Sequence, residues 1–239
     1  MKRLMVICLA LWIFSGCVSE KNVATEFNDS GLQHFNEEDY ESAIKDFENA
    51  LLTEENAVFY YNKGMALKNN GNEKEAIEAF EKATELDPEL GEAYYNIGLI
   101  YIELNDLENA KINLEKAVDD SIELALPYIG HIYEKEGNYE KAIQFLKKYT
   151  DHQQEASIYN QIGLMKVELG NYELALDSFK QALEIENANR EILFNIAIIY
   201  QYLNELEQAK DYLLVLLEHY PEDEKAQKEL TFINYRMKE

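Results

Sequence analysis

The chain has 239 residues, 47% of them hydrophobic and 28% charged, which is the composition of a folded protein and excludes a disordered one. Its formal charge of -24, from 46 acidic against 22 basic residues, argues against an electrostatic grip on nucleic-acid phosphates or on an anionic membrane surface. With 3 prolines and 10 glycines spread through a background rich in Glu, Lys, Ala and Leu, the expected fold class is all-α.

The first element in the chain has the layout of an export signal. Lys2 and Arg3 precede an apolar run from Leu4 to Phe14, and the small residues Ser15 and Gly16 lead directly to Cys17. The run is well short of the roughly 20 apolar residues that cross a bilayer, so a permanent membrane span is not expected. The tetrapeptide Phe14-Ser15-Gly16-Cys17 resembles the lipobox of prokaryotic lipoproteins, with phenylalanine where leucine is usual. That resemblance implies a signal peptide over 1–16, cleavage before Cys17, and a lipidated (palmitate-type) Cys17 followed by a short polar tether over 17–24. Two or three acyl chains on one cysteine give a stable anchor where one gives only marginal binding. The implied location is outside the cytoplasm, on the outer face of the cell membrane or at the outer membrane. The only other cysteine, Cys8, lies inside the signal, so no disulfide framework is expected after cleavage.

From residue 25 the chain repeats. Small residues recur at Gly31, Gly64, Gly98, Gly130, Gly163 and Ala197, at intervals of 32 to 34 residues, and a period of this length means a solenoid. Twelve residues after each anchor stands an alanine: Ala43, Ala76, Ala110, Ala142, Ala175 and Ala209. Four further on come Phe47, Phe80, Leu114, Leu146, Phe179 and Leu213, and steps of this size share one helical face. The phrase Gly-Asn-Tyr-Glu occurs at 137–140 and again at 170–173, each time where one helix of a pair should turn into the next. Pro88 and Pro221 follow the second helix of their copies, where the chain must stop being helical. Pro127 falls in the first turn of the fourth copy's first helix, a place that tolerates a missing N–H.

This spacing resembles the tetratricopeptide repeat, over about residues 24 to 222. The resemblance implies a right-handed superhelical solenoid of about six helix pairs, here placed at 25–56, 57–90, 91–122, 123–155, 156–189 and 190–222. Residues 223–239 then form a capping helix with an apolar stripe of Ala226, Leu230, Ile233 and Met237. In such arrays the first helix of each pair lines a concave groove, and the groove positions carry over copy by copy. Three residues before the anchors are Asn28, Tyr61, Tyr95, Pro127, Asn160 and Phe194, and one residue after are Leu32, Met65, Leu99, His131, Leu164 and Ile198. They form a largely apolar and aromatic strip, with Asn62, Asn96 and Asn195 beside it able to hydrogen-bond a ligand's main chain. The strip has no lysine or arginine at these positions, unlike family members that clamp a C-terminal carboxylate.

Other chemistry finds little support. The four histidines show no paired-ligand spacing, His34 reads as a core residue with a hydrogen-bond partner, and no glycine is left over for a phosphate-cradling loop. No nucleophile elbow surrounds any serine. The expected protein is therefore no enzyme, with no cofactor, no metal and no nucleic-acid partner. It is a lipid-anchored scaffold that binds a peptide or helix of another envelope protein, similar in architecture to the pilotin and other envelope-assembly lipoproteins. The alternative is a lipoprotein that holds a hydrophobic small molecule or lipid within the superhelix. Oligomeric state and partner identity are not legible.

Overall fold

The computed structural model describes residues 17–238, with side chains from residue 23 onward. Thirteen α-helices and one short 3-10 turn account for nearly all of them, and no strand occurs among the described residues. The chain divides into two units between Ala125 and Leu126. In the first, Cys17–Asn36 (α1) pairs with Tyr40–Thr53 (α2), Ala57–Asn69 (α3) with Glu73–Leu86 (α4), and Gly91–Glu103 (α5) with Leu107–Asp119 (α6). In the second, Leu126–Lys135 (α7) pairs with Tyr139–Thr150 (α8), Ala156–Glu168 (α9) with Tyr172–Ile185 (α10), and Arg190–Tyr202 (α11) with Leu206–His219 (α12), before a last helix, Glu224–Arg236 (α13). The all-α repeated architecture expected from the period is what is found.

One turn geometry makes all six pairs. Seven residues after each anchor the backbone is left-handed, at Glu38, Gly71, Asn105, Gly137, Gly170 and Asn204, with φ between 58° and 79°. At Gly71 the N–H donates to the Lys68 carbonyl at 3.1 Å, while the Asn72 N–H reaches back to the Leu67 carbonyl at 2.9 Å. This Schellman pair satisfies the last carbonyls of the first helix, and its equivalent recurs in every copy. The residue after it starts the second helix: Asp39, Asp106 and Asn138 each accept a backbone N–H from three residues on. The Gly-Asn-Tyr-Glu phrase is thus a joint, with glycine supplying the positive φ in both copies and the asparagine side chain capping the second helix at Asn138 but not at Asn171. Glu38 makes the same turn with a side chain, at a cost of roughly 1 kcal/mol relative to glycine.

The anchors explain the packing between paired helices. A methyl group on Gly31, Gly64 or Gly163 would lie 2.5 to 2.7 Å from the ring of Phe47, Phe80 or Phe179, sixteen residues on. On Gly98 and Gly130 it would meet Leu114 and Leu146 as closely. Each large side chain therefore occupies the volume that its glycine leaves empty. These five residues, Leu213 and all six alanines at the twelve-residue offset have 0% exposure. Fully burying one such phenylalanine is worth about 1.5–3 kcal/mol.

Three expectations change. The tether placed at 17–24 is helical, because α1 runs on from Cys17 and its Ala24, at 0% exposure, packs with Ala50 and Phe59. His34 is not in the core: its ring is partly exposed and bonds the Asp46 carboxylate at 2.9 Å, which also accepts from Ser30. In the capping helix Ala226 and Ile233 are buried and Leu230 partly so, but Met237 lies past the helix end and is exposed. The expected signal at 1–16 and the side chain of Cys17 lie outside the described residues.

Candidate functional site

The wall residues occupy the first helix of each pair, where the anchor turns one face towards its partner helix and leaves the residues at offsets of minus three, plus one and plus four on another. In the first unit they come together as a connected polar and aromatic surface. Asn28 is buried and accepts a hydrogen bond from Asn62 across the neighbouring helix at 2.8 Å. Asn96, also buried, donates to the Glu92 carbonyl at 2.9 Å and lies 3.5 Å from the Tyr61 hydroxyl. The Tyr61 ring packs against core Phe80 with centroids 5.6 Å apart, and burial, with Glu92 nearby, pushes its hydroxyl pKa up. Met65 packs on the same core cluster as Tyr61, and Met65, Tyr95 and Leu99 are half-buried.

Lys68 belongs to this surface although the repeat offsets do not point to it. Its ammonium donates to the Asn96 side-chain carbonyl at 3.0 Å, and desolvation lowers its pKa against the opposing pull of Glu103. The strip without cations is therefore corrected: one lysine reaches into it from the next turn. Tyr61, Met65 and Lys68 stand at i, i+4 and i+7 on α3, and this spacing was the available signal. Asn62 and Asn96, expected to face a ligand, spend part of their bonding capacity on these neighbours, because equivalent positions on adjacent helices lie within side-chain reach. Each amide keeps donor or acceptor capacity beyond these bonds.

The second unit repeats the motif with different residues. Asn195 donates to Asn160 at 3.1 Å, and Asn160 donates to Glu191 at 3.0 Å. Phe194 is partly buried against the core, Ile198 is half-buried, and Leu164 is 40% exposed. His131 is exposed and bonds Glu134, one turn on in its own helix, at 3.3 Å. Pro127 is half-buried. Among the described residues no group of three or more His, Cys, Asp or Glu side chains could hold a metal ion. No described helix is long and apolar enough to cross a membrane.

Comparison with known proteins agrees with the helix pairs. Family models described as tetratricopeptide repeat match residues 57–90, 91–119, 120–188 and 166–230. The chain belongs to the tetratricopeptide repeat (TPR) family. TPR arrays are protein-interaction scaffolds, and this is one. TPR repeat-containing protein MJ1428 of Methanocaldococcus jannaschii is 23% identical over 184 residues, covering 72% of this chain and 32% of the relative. The chain spans between 23% and 51% of the length of the first curated relatives it matches. Among solved structures, YrrB, a TPR protein with an unusual peptide-binding site, is similar at a TM-score of 0.65 and 22% identity, over 77% of this chain and 96% of that one. Pseudomonas aeruginosa pilF is similar at a TM-score of 0.62 and 16% identity, over 89% and 98% of the two chains. At these identities the likeness to both structures is one of TPR fold.

Proposed function

We propose that this TPR protein is an exported, lipid-anchored, non-catalytic scaffold that holds a peptide or helical segment of another envelope protein against the wall of its first helices. The observation that carries the binding reading is the wall itself. Aromatic and aliphatic side chains left half-exposed at equivalent positions of neighbouring helices offer apolar contact area, and the amides between them retain capacity to bond a main chain. Lys68 adds one cation to the first unit's wall, which favours a partner segment with an acidic residue among its apolar ones. The export and anchoring part rests on the sequence Lys2-Arg3, the apolar run, and Ser15-Gly16-Cys17.

Two experiments test the two parts separately. Replacing Tyr61, Tyr95 and Phe194 together by alanine should lower capture of a partner, trapped in cells by crosslinking from wall positions, by about tenfold or more with the helical content kept. Undiminished capture with the fold intact would exclude the wall. A stoichiometric lipid extracted from the purified protein would favour a small-molecule ligand instead. Cys17→Ala should move the protein out of the membrane fraction and abolish acyl labelling, and unchanged fractionation would contradict the anchor.

A further inference from the structure

The charge of this chain is unevenly spread, and two surfaces away from the wall complement each other. On α13, Lys225, Lys228, Phe232 and Tyr235 follow at steps of three, four and three residues, which gathers them within about 80° of arc on one face. All four are exposed, Phe232 at 50% and Tyr235 at 63%, while Ala226 and Ile233 on another face are buried. Arg236 lies over the Phe232 ring at 5.8 Å, and Lys228 has only a long, solvated contact to Glu224 at 3.8 Å. A basic and aromatic stripe of this kind stands out in a chain of net charge -24.

The first unit holds a cleft of the opposite character, about 440 Å³ in volume, bordered by α2, α3 and α4. Its floor is apolar, made by Tyr60, Leu67 and Ala79, and its rim carries five glutamates against two lysines. Lys63 pairs with Glu48 at 2.8 Å and Lys82 with Glu85 at 2.5 Å, so Glu75, Glu78 and Glu81 supply the net negative charge.

We propose that α13 of one copy docks in this cleft on a second copy of the chain. Phe232 and Tyr235 would pack against Tyr60, which is partly exposed beside the buried Leu67 and Ala79, and Lys225 and Lys228 would meet the glutamate rim and set the orientation. The second copy is chosen on local complementarity: a cleft rimmed by glutamates, of the chemistry the lysines and rings require, is present in the chain itself. The two surfaces differ, so the contact is heterologous: each copy keeps a free helix or a free cleft, and assembly continues or closes into a ring. This contact is independent of the wall and its partner.

Sedimentation equilibrium of the full chain in a non-ionic detergent tests it. The average mass should rise with concentration, and Lys225→Glu with Lys228→Glu, or Glu78→Lys with Glu81→Lys, should each weaken self-association by about tenfold or more. All four positions are exposed on helices, so circular dichroism should be unchanged in both variants. Mixing the two should restore association, because each retains the surface the other lacks and the reversed pair is again complementary. A monomer at every attainable concentration, association untouched by either pair of substitutions, or a mixture that stays apart would each overturn the proposal.

Discussion

Phe179→Ala should destabilise the second unit by about 3–5 kcal/mol, the range for removing a fully buried ring whose cavity cannot collapse. Collapse is hindered because the ring is held from both sides: Phe179 has 0% exposure, and Gly163 presents bare backbone to it. Gly163→Ala should cost about 1–3 kcal/mol by itself, since its methyl would stand 2.5 Å from the ring edge and force one helix away. The two changes should not add. With the ring gone, the methyl enters the space it vacated, and the double variant should cost less than the sum by about 1–3 kcal/mol. Urea unfolding of the four proteins in this cycle measures the coupling, and strictly additive costs would mean that the glycine serves some purpose other than admitting the ring. In the sixth copy alanine already stands in the anchor place, with Ala197 and Leu213 both at 0% exposure.

The second large effect concerns how the last helix is attached. Asp223 is buried just before α13, accepts the Ala226 N–H at 3.0 Å and pairs with Arg190 at the start of α11 at 2.5 Å. The backbone bond from Ala226 holds its carboxyl below the ordinary carboxylate pKa against the upward push of burial, and Arg190 adds to the lowering. Because the folded pKa is depressed, the stability that Asp223 contributes is fully present above the unfolded value of about 3.9 and is lost as pH falls through the folded one. Hydrogen exchange of the α13 amides, taken relative to its intrinsic rate at each pH, should accordingly quicken on acidification below about pH 4. Asp223→Ala should quicken it already at neutral pH, with a loss of about 0.5–2 kcal/mol from the cap. Asp223→Asn keeps a capping oxygen and should fall between them while losing the acid dependence. Equal exchange in all three proteins would detach Asp223 from the docking of this helix.

The features legible in the amino-acid order follow from local rules. A period of 32 to 34 residues, small anchors and an alanine twelve residues on are consequences of two helices packing closely, so they mark the pairs directly in the sequence. The left-handed turn is legible where glycine makes it, at Gly71, Gly137 and Gly170, and hidden at Glu38, Asn105 and Asn204, where a less permissive residue accepts the same φ. The wall is legible only as positions. Which groups meet across neighbouring helices depends on side-chain length, and so Lys68, four residues past its anchor, falls outside the offsets of minus three, minus two and plus one that define the strip.

Spacing along a single helix or a single turn is enough to specify the all-α class, the number of helix pairs, the buried face of each and the TPR resemblance. Packing between helices supplies what spacing cannot carry. It joins Asn28 to Asn62 and Asn160 to Asn195, draws Lys68 onto Asn96, and places His34 on Asp46 rather than in the core. It also leaves the basic stripe of α13 exposed and puts an acidic, apolar-floored cleft between three helices of the first unit. These are relations between residues some 12 to 35 apart or on different helices, and they form only once packing has fixed which faces meet.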